Sequence, residues 1–217
     1  MSTRLMRTLI ALCGILGTAA LLIYYSAPYW LMPLPATDAP AAQVIAFGTK
    51  YQTTILVDSW FQVAGAFLSV VFALGLIHLA GSSERLSGKL TQLVGGIVVV
   101  LALAEATFGI GSAMAASLGH TETSLVCFDL TNTFVHVFLI APSLFLVLGF
   151  ALLRTTVLPW GFSYTAIGLG VVFQVLGFAG LFATAALLLV IVVLMLQNVW
   201  NIAAAITLAV RRPPKLA

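Results

Sequence analysis

Glu105, Asn132, His136, Asp129, Gln62 and Gln174 fall inside or at the ends of long hydrophobic stretches, where polar side chains are expensive and often functional. A carboxyl group in hydrocarbon is neutral or paired, because desolvation disfavours its charged form. No Lys or Arg lies near the depth of Glu105 in any apolar stretch, which leaves His136 as the basic side chain within reach. A Glu105–His136 contact, direct or through water, suits proton transfer or the grip on a ligand. The competing reading is a protonated Glu105 hydrogen-bonded to Asn132 or Gln174, joining helices and doing nothing else. The ligand-site reading predicts that Glu105, Asn132 and His136 converge between the third and fourth apolar stretches, with Gln62 or Gln174 close by.

The spacing of these residues implies helices. Asp58, Gln62, Gly65 and Ser69 share one face at 3.6 residues per turn, as do Asp129, Asn132 and His136. The matching face of the third stretch is Ala102, Glu105, Gly109, Ser112 and Ala116, small except for the acid. Counting from the outer ends, Gln62, Glu105 and Asn132 come out about 8–12 Å below the boundary. His136 lies deeper, and Asp58 and Asp129 lie near the boundary. A second polar group, Gln197, Asn198 and Asn201, with Trp200 beside it, sits in the inner half of the last stretch. It reads as an inner vestibule or as interhelical amide hydrogen bonds. Pro142 should kink its helix and free a carbonyl near Phe138. Small residues at four-residue spacing, such as Gly14 with Thr18, Gly65 with Ser69 and Gly109 with Ala113, permit close helix approach.

Catalytic signatures are missing: there is no HExxH, no GxSxG and no Gly-rich phosphate loop. No catalytic residue is assigned. Three His at different depths and two Cys without CxxC spacing make no metal or redox motif, so no metal and no cofactor is expected. Cys13 and Cys127 lie at different depths and are not expected to pair.

The elements that carry these residues must be membrane spans. The chain is 62% hydrophobic and 7% charged, against roughly 25% charged in an ordinary soluble domain. A span needs about 20 apolar residues to cross about 30 Å of hydrocarbon. Six such stretches run at about Thr8–Tyr25, Val57–Ala80, Leu90–Ser112, Leu125–Leu152, Trp160–Phe178 and Leu181–Leu208. Trp160–Leu208 as one helix would measure about 74 Å, so it must fold back, and Gly177–Gly180 is the turn-like place. The fold class is therefore all-α, a polytopic bundle of six transmembrane helices in a single domain, residues 1–217.

Eight of the nine basic residues, Arg4, Arg7, Arg85, Lys89, Arg154, Arg211, Arg212 and Lys215, share one face if there are six crossings. Only Lys50 falls on the other. The rule that basic residues stay inside then places both termini in the cytoplasm and the protein in the cell membrane. The net charge of +3 reflects that topology and gives no support for nucleic acid binding. Arg4 and Arg7 ahead of an apolar run of about 17 residues could mimic a secretory signal, but Pro28 directly after Ser26-Ala27 is a poor cleavage context, so an uncleaved first helix is expected. The outer segment at about 26–56 has a Pro- and aromatic-rich half, Ser26–Pro35, expected to be extended in the interface. In its second half Val44, Phe47, Tyr51 and Ile55 recur at helical spacing and predict a short amphipathic helix.

The segment Ala41-Ala42-Gln43-Val44-Ile45-Ala46, the connection Glu84-Arg85-Leu86 and the run from Leu153-Arg154 through Leu158-Pro159-Trp160-Gly161 resemble a family of bacterial membrane proteins catalogued as a domain of unknown function. The resemblance covers most of the chain. It implies a small six-helix bacterial membrane protein and carries no catalytic residues over. Two function classes follow from the residues themselves. One is binding or transport of a small solute or proton through a polar site in the outward half. The other is a scaffold or accessory subunit whose polar residues are interhelical glue. The lipid bilayer is the one partner the sequence implies; a protein partner or a homo-oligomer is left open.

Overall fold

The computed structural model describes residues 3–211. Arg212 and Lys215, two of the basic residues behind the topology, lie outside that range. The described chain is helical throughout: α1 (Thr3–Trp30), α2 (Ala41–Lys50), α3 (Gln52–Leu79), α4 (Leu86–Ser117), α5 (Thr121–Ile140), α6 (Leu144–Leu152), α7 (Trp160–Gly180) and α8 (Thr184–Val210). Among the described residues, six segments are long and apolar enough to cross a membrane, α5 and α6 together making one of them. The chain is an integral membrane protein built as a six-helix bundle.

The spans close into a ring in chain order, α1 against α3, α3 against α4, α4 against α5, α5 and α6 against α7, α7 against α8, and α8 back against α1. In the half that carries the chain's two ends, α6 also leans on α3 and α4. There Ile10, Phe72, Leu76, Leu148, Trp200 and Leu208 form the densest apolar core. Arg7 ties the ring shut at this end, its guanidinium donating to the carbonyls of Leu208 at 3.1 Å and Arg211 at 3.0 Å. These are C-terminal carbonyls of α8 without helical partners, where a cation is favoured.

Three boundaries differ from the sequence reading. α1 runs through Ser26 to Trp30 with Pro28 inside it, where an extended stretch was expected. Ala27 explains the extra turn: it is buried against Met32, Ile55 and Ala113. The fold-back between the last two spans falls at Leu181–Ala183, beyond Gly177–Gly180. Gly177 stays helical because its bare Cα packs against the Leu139 carbonyl, a place no Cβ could occupy. At Pro142 the helix does not kink but stops, leaving Ala141–Ser143 as a break between α5 and α6.

α2 crosses the end of the ring opposite Arg7 against α3, α4 and α5. Its Gly48 meets Ala116 and its Val44 is buried. Gly81 and Gly119, both at positive φ, close α3 and α4 with backbone bonds that reach back five residues, Ser82 to Ile77 and His120 to Ala115.

Candidate functional site

Above the apolar core, the centre of the ring is hollow. A cavity of about 370 Å³ is walled by α1, α3, α4, α5, α8 and the α5–α6 break, with Leu144 and Phe145 of α6 and Phe173 of α7 completing it. α5 packs on α4 and α7 but makes no extensive contact with α1 or α8. The space between them is this cavity, and its size falls within the range of small-molecule sites.

Its end away from that core is polar. Tyr24 of α1 donates from its hydroxyl to Glu105 Oε1 of α4 at 2.9 Å. Gln62 of α3, 6% exposed, turns toward the same carboxyl group. Tyr25 lies beside Tyr24, their rings 5.2 Å apart, and lines the same wall. Asp58, one turn above Gln62, is buried near Tyr24. Three helices thus bring a carboxyl group, an amide and a phenol to one point.

Close approach of α1 and α3 makes this possible. A Cβ on Gly65 would lie 2.9 Å from the Leu21 backbone nitrogen and 3.0 Å from the Gly17 carbonyl oxygen. A Cβ on Gly17 would lie 2.8 Å from the Ser69 backbone nitrogen. Only glycine at these positions lets Tyr24 reach across to α4.

The six residues singled out in the sequence are distributed as follows. Gln62 and Glu105 line the cavity together. Gln174 lies on α7 at the helix break: its Oε1 accepts from Ser143 N–H at 3.0 Å and its Nε2 donates to the Ala141 carbonyl at 3.3 Å. It thereby satisfies backbone groups that Pro142 orphaned, and Ala141 and Ser143 form part of the cavity wall. Asn132, His136 and Asp129 are not among the lining residues. Asp129 and His136 are exposed, and His136 Nδ1 is bonded to the Asn132 carbonyl of its own helix at 3.0 Å. The expected meeting of Glu105 with Asn132 and His136 is replaced by one with Tyr24 and Gln62. The reason is the face α5 presents to α4, which carries Ser124, Cys127 and Phe134 and lies opposite its polar stripe.

Tyr24 went unnoticed in the sequence because a tyrosine near the end of a span reads as an interfacial anchor. Its signal was depth: counted from the inner end it stands level with Glu105. The inner group was seen but not joined to the outer one. Gln197, Asn198 and Asn201 line the floor of the same cavity. Trp200 points the other way, its indole N–H donating to the Phe162 carbonyl at 3.0 Å and the Thr165 hydroxyl at 3.1 Å.

Comparison with protein families, with curated proteins and with solved structures finds no match for this chain.

Proposed function

We propose that this chain is a multi-pass cell-membrane protein, both termini cytoplasmic, that binds a small solute in the ring cavity at a polar site in its outward half. The observation that carries the reading is the Glu105–Tyr24 hydrogen bond set in a cavity wall beside Gln62. Polar side chains that only join helices are enclosed by packing, as Ser112 and Ser124 are. Glu105 instead fronts a space large enough for a ligand. Most of the remaining wall is apolar, including Phe138, Phe173 and Leu194. That combination suits a ligand with an apolar body and a hydrogen-bonding head.

Passage of protons is less well supported than solute binding. From Glu105 inward the polar lining residues are Ser69, Ser143, Gln197, Asn198 and Asn201, hydroxyls and amides that do not titrate. The resemblance to six-span bacterial proteins belongs to the same reading. The cytoplasmic placement of the ends rests on the basic residues, and reporter activity outside the membrane from a C-terminal fusion would overturn it.

Decan-1-ol, with one hydroxyl and an apolar chain, is the test ligand for the site. The purified protein in detergent is expected to gain thermal stability with rising decan-1-ol. Glu105→Leu should abolish the gain and Glu105→Gln should keep part of it. No gain in the wild-type protein, or the same gain in Glu105→Leu, would return the polar residues to the scaffold reading.

A further inference from the structure

We infer that the cavity holds a second polar subsite, formed by Gln197, Asn198 and Asn201 of α8, and that its ligand is an uncharged molecule with a hydrogen-bonding group at each end. The inference rests on the solute-binding reading above and adds the class of solute.

Gln197, Asn198 and Asn201 are 9%, 4% and 6% exposed, and all three line the cavity. No described residue hydrogen-bonds their side-chain amides. The Ser69 hydroxyl, also in the wall, is buried and unpartnered among the described residues. Buried amides and hydroxyls are costly to leave unmatched. The three amides facing one space form a surface complementary to a polar group placed there, while the Ser69 hydroxyl is sealed against Gly17. Gly14 packs against Ala205, a Cβ on it falling 3.1 Å from the Ala205 Cβ, and so gives α1 and α8 a common level. From that level Asn201 stands about 6 Å up, Gln197 about 12 Å and Tyr24 about 15 Å, at 1.5 Å per residue. The inner amides therefore lie about 3–9 Å below Tyr24 along the bundle. Most of the rest of the wall is apolar, including Phe138 and Phe173. Lys, Arg and Asp are absent from the lining. A charge at the inner end would be buried without a counter-ion, which restricts the ligand's inner group to a neutral one.

Hexane-1,6-diol presents a hydroxyl at both ends over a comparable span, and decan-1-ol lacks the inner one. Affinities of both are measured by calorimetry for the wild-type protein, Asn198→Leu and Asn201→Leu. The diol is expected to weaken about tenfold in either variant, the loss of a hydrogen bond to a buried partner, while decan-1-ol changes less than about twofold. Asn198→Ala and Asn201→Ala, which overpack nothing, replace the leucine variants if those fail to fold. If decan-1-ol binds and the diol is indifferent to the α8 substitutions, the second subsite is overturned and the solute site stands. Equal weakening of both alcohols also overturns it. If decan-1-ol does not bind the wild-type protein, the solute reading itself falls and takes this inference with it.

Discussion

Two helices carry polar stripes of the same kind in the half of the bundle opposite Arg7, and the fold treats them oppositely. On α3, Asp58 and Gln62 are buried and Gln62 faces the cavity. On α5, Asp129 and His136 are exposed and Asn132 stays out of the lining. Hydrophobicity does not separate them, because both helices belong to segments apolar enough to span. Small residues do. On α3, Gly65 and Ser69 share the polar stripe, and Gly65 lets α1 approach to backbone contact. On α5, the small residues Ser124 and Cys127 lie opposite the stripe and dock on Ser112 and Gly111 of α4. Without a hydrophobic driving force inside a bilayer, close packing at small residues selects the buried face. Polar residues follow to whichever side that leaves them.

The strongest way to break the contrast is to remove the close approach. Gly65→Leu would drive a side chain into the Leu21 backbone nitrogen and the Gly17 carbonyl, neither of which can yield. Overpacking of this sort costs about 1–3 kcal/mol when side chains give way, and more here because a backbone must move. The expected result is a protein that is poorly recovered, or unfolds far below the wild type, with decan-1-ol binding lost. Normal stability for Gly65→Leu would show that small residues do not choose the buried face of α3.

A second substitution tests an amide put to structural use. Gln174→Leu leaves the Ser143 N–H and the Ala141 carbonyl without their partner at the helix break. A loss of about 1–3 kcal/mol is expected, the cost of unmatched backbone groups. Unfolding measured in detergent against the wild type checks it, and an unchanged midpoint would mean the break is held by α6–α7 packing alone.

How much of this was legible beforehand depends on whether the controlling contact is local. The six spans follow from run length, whereas Pro142, with its missing N–H, read as a kink in a continuous helix and proved to be a break. The stripes follow from periodicity, which fixes which residues share a face but not what that face meets. Glu105 stood out as a lone acid. Its partner Tyr24 lies 81 positions away on the first span, and no spacing rule links them. Gln174 was legible as a polar residue at the right depth, yet its role depends on lying beside a break in another helix. The turn at Leu181–Ala183 escaped because Gly177, the residue that looked like a turn, serves close packing against Leu139.

A smaller effect is expected where α5 docks on α4. Ser112 and Ser124 exchange hydroxyl-to-carbonyl bonds, each 2.9 Å long. Ser124→Ala keeps the close packing and removes one bond of the pair. Interhelical bonds of this kind are worth about 0.6 kcal/mol on average and at most about 1.7 in membranes. Ser124→Val adds bulk at the contact and should cost more than Ser124→Ala. The reverse order would mean that the bond, and not the closeness, holds α5 with its stripe turned outward.

The smallest effect is expected from the outward stripe itself, and it bears most directly on function. His136 bonds only to the Asn132 carbonyl of its own helix, a carbonyl available to the helix ladder in any case. His136→Leu removes that bond and puts an apolar side chain on an exposed position of a spanning helix, where Leu is the better residue. Stability should stay within about 0.5 kcal/mol of the wild type, as for surface positions generally. Decan-1-ol affinity should change by less than about twofold, against its abolition by Glu105→Leu. The two variants divide the polar residues of this half of the bundle by location: a polar side chain matters where it fronts the cavity and not where it fronts the surroundings. A loss in His136→Leu comparable to that in Glu105→Leu would erase the distinction and place α5's stripe in the ligand's path.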